Sequence, residues 1–268
     1  MIISDEHGFV FVHIQKCAGT TIRKFIKKFN CQKDTFYGID NHPDLGRLDL
    51  AHIPLFTLRE HYLSDFEAMQ IYWSFAVVRN PYYRFVSSLS ERIKNYKVKF
   101  IEQCSEKEIR YAILETIEYL TKNEHCLLSH EFIYFQKQVD YIKLDGEQII
   151  ESIYTIEQID ELVADFQSKI GKRFAKPFAC ISSRNSNRSF VFRNNFIRGV
   201  YKTLRPKANS LIQLLPKNIK QRIWDWIYVP THKRLRGIFE EDHVQAFIRD
   251  YYSDDIILYQ SVLEAQHS

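Results

Sequence analysis

Apolar positions in this chain follow two spacings, short unbroken runs and three-to-four-residue stripes, and their alternation predicts an α/β protein. Phe9–Ile14 is a β-branched and aromatic run, as expected of a central parallel strand covered on both faces. Thr20 or Thr21 can then cap a helix in which Ile22, Phe25, Ile26 and Phe29 recur at helical spacing. A second strand is predicted near Leu48–Ile53 and a third at Ile71–Val78, followed by Arg79-Asn80-Pro81. Pro81 falls in the first turn of the next helix, whose stripe is Phe85, Leu89 and Ile93. Strand, phosphate-sized turn and helix thus occur twice.

Further along, residues 106–122 and 157–170 read as amphipathic helices, marked by Ile109, Ile113, Ile117 and Leu120 in one and Ile159, Leu162, Val163 and Phe166 in the other. Between them the pattern predicts an extended stretch at Tyr134–Ile142 and a strand at Ile149–Tyr154, separated by a Leu144-Asp145-Gly146-Glu147 turn. Gly171–Pro177 reads as a break, Pro216 opens a helix with Ile219, Ile223, Trp226 and Ile227 on one face, and Glu241–Gln260 carries Val244, Phe247, Ile248 and Tyr251 in helical register. With 268 residues, 45% of them hydrophobic, one core is expected, so residues 1–268 are taken as a single domain.

Charge changes this picture locally. The net charge is only +4, yet residues 184–236 hold 13 Lys/Arg against the single acid Asp225, whereas residues 1–183 hold 23 basic and 25 acidic groups. A basic C-terminal subregion of this kind points to an anionic ligand or surface. The helix after Pro216 is read first as packing on the main domain, and second as a peripheral contact with a membrane surface or lipid-linked acceptor. The cysteines, at 17, 31, 104, 126 and 180, are odd in number and lack a C-x-x-C pair, which argues against structural zinc. No run approaches the roughly 18 apolar residues of a membrane span. The default expectation is a soluble, cytoplasmic protein; the secretory lumen stays open if an anchor has been removed, and only there would Asn187-Arg188-Ser189 act as a glycosylation triplet.

The chemistry concentrates at the two turns. A nucleotide phosphate requires clustered backbone N–H donors at a helix start and a mobile cation. In Lys16-Cys17-Ala18-Gly19-Thr20-Thr21, Gly19 permits close backbone approach, Lys16 supplies the cation, and Thr20 and Thr21 offer hydroxyls. The lysine precedes the glycine turn, contrary to the G-x-x-x-x-G-K-[ST] order, which disfavours a kinase or ATPase.

His13-Ile14-Gln15-Lys16-Cys17-Ala18-Gly19-Thr20-Thr21 resembles the His-Ile-Pro-Lys-Thr-x-Gly-Thr-Ser loop of the carbohydrate sulfotransferases, with Gln15 in place of proline and Cys17 in place of threonine. Val78-Arg79-Asn80-Pro81-Tyr82-Tyr83-Arg84-Phe85-Val86-Ser87-Ser88 is similar to the same family's Val-Arg-Asn-Pro-x-x-Arg-Phe-x-Ser segment. The resemblance implies a P-loop-like fold with a central, mainly parallel sheet flanked by helices. It also implies 3′-phosphoadenosine 5′-phosphosulfate (PAPS) as donor, 3′-phosphoadenosine 5′-phosphate (PAP) as product, and a polysaccharide, oligosaccharide or glycolipid as acceptor. By the same resemblance Lys16 meets the 5′-phosphate oxygens, Ala18 to Thr21 complete the loop, Arg79 and Ser87 bind the 3′-phosphate, and Arg184, in a basic Ser/Asn-rich segment with Arg188, closes on the donor. Arg84 reads either as support for this site or as a structural ion pair.

Sulfuryl transfer to an alcohol needs a base for the hydroxyl proton and a cation at the departing phosphate, but no metal. His52, in Asp49-Leu50-Ala51-His52-Ile53-Pro54, is the candidate base and resembles the histidine segment between the two motifs of glycan sulfotransferases; His42 is its rival. His13 reads as a packed strand histidine, and Gln136 either bonds an acceptor or anchors its loop. No His/Cys/Asp spacing suggests a metal. The competing classes are a non-enzymatic anion- or nucleic-acid-binding protein and a nucleotide-dependent kinase; the first has no zinc-finger, RNA-binding or DNA-recognition motif to support it.

Overall fold

A computed structural model describes residues 1–31, 35–97, 99–171, 190–192, 228–230 and 237–265. At its centre, β1 (Ile2–Ser4), β2 (Phe9–Val12), β5 (Trp73–Val78) and β8 (Ser152–Thr155) form one sheet in the order β1-β2-β5-β8. The pairings of β2 with β5 and of β5 with β8 are parallel, but β1 returns antiparallel to β2, opposing Ile2 to Phe11. The sheet is therefore mixed. The edge strand β1 was not predicted, because three residues are too few to establish a period.

Every residue of β2 and β5 is buried, as two-sided cover requires. Alternate side chains divide between the faces. Phe9, Phe11, Phe75 and Val77 pack with α1 (Gly19–Ile26) and α6 (Ile159–Ile170) through Ile22, Ile26, Leu162 and Phe166. Val10, Val12, Ala76 and Val78 meet α2 (Leu55–His61) and α3 (Leu63–Ile71) through Leu55, Leu58, Phe66 and Met69. A third cluster joins α4 (Pro81–Tyr96), α5 (Glu106–Lys122) and α7 (Asp242–Tyr251) through Phe85, Leu89, Ile113 and Ile248, and α8 (Ser253–Glu264) follows.

The helix predictions that fall on described residues hold within a few residues, and Pro81 opens α4 with the Asn80 side chain accepting from the Tyr82 N–H at 3.0 Å. Neither threonine caps α1, however. Its N-cap is Ala18 in a left-handed conformation, φ 62°, with no side-chain cap bond, and Thr20 and Thr21 lie inside the first turn. The strand expected at Leu48–Ile53 is replaced by a separate hairpin, β3 (Ile39–His42) with β4 (Gly46–Asp49), and a 3-10 turn at Leu50–His52. Tyr134–Ile142 is not extended: it coils through 3-10 turns at Ile133–Phe135 and Val139–Tyr141, because the buried Asp255 carboxylate accepts the Gln138 and Val139 N–H groups, both at 2.9 Å.

The Leu144–Glu147 turn is as expected. Asp145 and Gly146 take φ 52° and 84° between β6 (Lys143–Leu144) and β7 (Glu147–Gln148), the successive positive φ values of a type I′ hairpin. β9 (Phe190–Phe192) and β10 (Tyr228–Pro230) pair antiparallel. Arg184, Arg188, the Gly171–Pro177 break beyond Gly171, the helix after Pro216 and nearly all of the basic subregion lie outside the described residues. Among those described, no helix is long and apolar enough to cross a membrane.

Candidate active site

Both strand–turn–helix units end at the same place. Just beyond the carboxyl ends of parallel strands β2 and β5, where open α/β sheets bind ligands, lies a cleft of about 360 Å³. Lys16, Ala18, Gly19, Thr20, His52, Arg79 and Ser87 line it, so residues from motifs some sixty positions apart border one space. Thr21 does not: it is buried in the first turn of α1. His13, Gln15, Asp49, Glu91 and Tyr134 complete the lining.

The loop before α1 is held in an uncommon backbone shape, with Lys16 and Ala18 both at φ 62°. The Ala18 carbonyl accepts from Thr21 and Ile22 N–H at 2.9 and 3.3 Å, so the donors of Gly19 and Thr20 stand at the helix mouth, where an anion can use them. Gly19 is required for a different reason than backbone flexibility: a Cβ there would overlap the His13 ring. The two departures from the resembling motif also acquire partners. Gln15 Nε2 donates to Tyr141 Oη at 2.6 Å, and the Tyr141 hydroxyl donates to the His52 carbonyl at 3.2 Å. The Cys17 thiol donates to Gln138 Oε1 at 3.2 Å; burial pushes its pKa up to about 11, so it stays protonated.

Arg84, 2% exposed, settles as a structural group. It donates to the Gln15 carbonyl at 3.1 Å and the Gln136 carbonyl at 2.6 Å, and lies 3.8 Å from Asp255, tying the loop before α1 to the 134–138 segment. Gln136 likewise anchors its own loop, accepting from Leu128 N–H at 3.0 Å and donating to Cys126 O at 3.3 Å.

The two cations at the cleft are held in different ways. Lys16 Nζ is 2.9 Å from Glu91 Oε2, while the other Glu91 oxygen accepts from Lys94 at 2.7 Å. Burial works against the Glu91 charge, but Lys16 and Lys94 override it and draw its pKa down to about 2. Arg79 is fixed through its backbone, whose N–H and C=O both pair with the Gln138 amide at 2.8 and 2.9 Å, and its guanidinium donates to the Lys16 carbonyl at 3.2 Å. Among the described residues its buried Nε has no partner. An unpaired donor on a charged group at a cleft wall suits an anion's oxygen.

His52 Nδ1 lies 2.8 Å from the His13 carbonyl, which can only accept, so Nδ1 carries the proton and Nε2 holds the lone pair. Burial lowers the His52 pKa to about 4 despite the raising effects of Asp49 and this hydrogen bond, leaving it neutral at neutral pH. His13, its ring 4.3 Å from that of His52, is also pushed well down by burial, and among the described residues its Nδ1 has no partner. His13 is thus packed, as expected, yet forms part of the wall.

The rival His42 is not among the lining residues. Its ring packs on His61 at 4.7 Å, and with Asp44 these histidines bring one ligand-capable atom each to within 4.8 Å of one another, a proximity that sequence spacing did not reveal. His42 Nδ1 already accepts from Asp44 and Leu45 N–H at 3.2 and 3.3 Å, which puts the ring proton on Nε2.

Comparison with known proteins agrees with the geometry. A family model described as "Sulfotransferase family" matches residues 1–260. No curated protein and no solved structure matches the chain. With both strand–helix turns meeting at one cleft and a family match over nearly its whole length, the chain belongs to the sulfotransferase family.

Proposed function

We propose that this chain moves a sulfuryl group from PAPS to a hydroxyl of a glycan or glycolipid. The observation that carries the reading is the meeting of Lys16, Arg79 and Ser87 with His52 around one cleft. The donor fits the residues present: Gly19 and Thr20 offer amide donors, Lys16 a mobile cation, and Arg79 an unpaired buried N–H. Family membership supports PAPS as the sulfuryl source. A glycan acceptor rests on the resemblance of the two motifs to carbohydrate sulfotransferases.

The donor supplies an activated sulfuryl group on a phosphate leaving group. Lys16 balances negative charge on the departing 5′-phosphate oxygen, and Arg79 and Ser87 hold the 3′-phosphate at the other motif. His52 Nε2 takes the proton of the attacking hydroxyl as the new sulfur–oxygen bond forms, so the imidazole ends protonated and no metal is needed to balance charge.

Purified protein incubated with sulfate-labelled PAPS and fractionated cellular glycans is expected to yield a labelled glycan identifiable by mass spectrometry; neither label transfer nor PAP binding would end this reading. Lys16→Ala should lower turnover about 100- to 1,000-fold and weaken PAP binding. His52→Ala should lower turnover by about 100-fold or more with PAP affinity retained, and normal turnover in that variant would remove His52 as base.

A further inference from the structure

Asp49 lies three residues before His52 and is the N-cap of the 3-10 turn Leu50–His52. In a 3-10 turn side chains three apart eclipse, so this short turn places the carboxylate and the imidazole along one edge. One Asp49 oxygen is spoken for, with Oδ1 accepting from the Ala51 N–H at 3.2 Å. The other, Oδ2, stands 3.8 Å from His52 Nε2, and both residues line the cleft. Since the His13 carbonyl occupies Nδ1, the carboxylate faces the one nitrogen able to receive a proton.

We infer that Asp49 is the positioning residue for His52, lending its carboxylate to the imidazolium that forms when His52 Nε2 accepts the acceptor's hydroxyl proton. The inference rests on His52 being the base. The need for such a partner is physical: burial disfavours a cation on His52, so a lone imidazole here would be too weak a base to draw the proton off. The other charged or titratable groups around the ring do not supply this help. Arg23 from α1 and the Met1 amino group act against a positive His52, while the His13 carbonyl favours it only through the hydrogen bond at Nδ1, leaving Nε2 to Asp49. Tyr141 touches only the His52 backbone carbonyl, and His130 shares a small neighbouring cavity. Among the described groups facing the imidazole, Asp49 is the one whose charge favours protonation.

The test compares Asp49→Asn, which keeps an oxygen for the Ala51 N–H while removing the charge, with Asp49→Ser, which keeps a capping hydroxyl if the first variant folds poorly. Histidine side-chain NMR, with the His52 signal identified by its loss in His52→Ala, reads the proton directly. At the pH where wild-type His52 is half protonated, the variant's ratio of protonated to neutral His52 is expected to be about tenfold lower. In the label-transfer assay the acid limb of kcat/KM should move to lower pH and kcat should fall about 10- to 100-fold, with PAP affinity unchanged and partial rescue by Asp49→Glu. A purely structural role would weaken PAP binding and leave the His52 midpoint in place. An unshifted midpoint and limb in Asp49→Asn, alongside an inactive His52→Ala, overturns the role of Asp49 alone. An active His52→Ala overturns the base assignment and this inference with it.

Discussion

Neighbouring positions Ala18 and Gly19 make opposite demands on their side chains. Ala18 holds φ 62°, where a Cβ costs roughly 1–2 kcal/mol, whereas Gly19 has an ordinary helical start but no room beside His13. Ala18→Gly should therefore stabilise the fold by about 0.5–1 kcal/mol. Gly19→Ala should destabilise it by about 1–3 kcal/mol through forced movement of the His13 ring. Urea unfolding of the two variants checks both signs, and a destabilised Ala18→Gly would mean that the left-handed cap carries no strain. The meeting of Lys16, Arg79, Ser87 and His52 at one cleft could be anticipated because each sits in a contiguous motif that marks it locally. Glu91, Gln15 and Tyr134 were not, since their place at the cleft comes from packing between elements distant in sequence. Asp49 did leave a signal, its three-residue spacing from His52, but that spacing acquires meaning only in a 3-10 turn, and the apolar Leu48–Ile53 pattern had pointed to a strand.

At the scale of elements, the long helices and the two buried strands followed from periodicity because their cover comes from several sides at once and enforces a strict pattern. The 134–142 segment defied its β-branched and aromatic composition for a reason that no local reading contains: its turns are pinned by Asp255, 117 residues beyond Gln138. The same carboxylate faces the fully buried Arg84, which in turn holds the carbonyl of Gln15 in the loop before α1. Asp255→Ala leaves two backbone donors and a buried guanidinium short of a partner, and should cost about 3–5 kcal/mol by chemical denaturation. Asp255→Asn, which keeps one accepting oxygen, should fall between that variant and wild type.

Across the whole molecule, helices from both ends of the described chain meet one mixed sheet, and the cleft opens where the parallel strands β2 and β5 stop. Binding there should be felt globally. PAP at 100 times its Kd is expected to add about 2.7 kcal/mol of stability and raise Tm by about 5–10 °C, a shift that Lys16→Ala or Arg79→Ala should largely abolish in calorimetry. The Lys16–Glu91 contact bears on which molecules can gain entry. An arriving anion has to win the ammonium from a carboxylate already in place, while Glu91 keeps Lys94 at 2.7 Å and the Asn95 amide at 3.4 Å as it lets go. On the proposed function, this internal counter-ion would handicap stray inorganic sulfate or phosphate and favour a larger guest that grips both turns together.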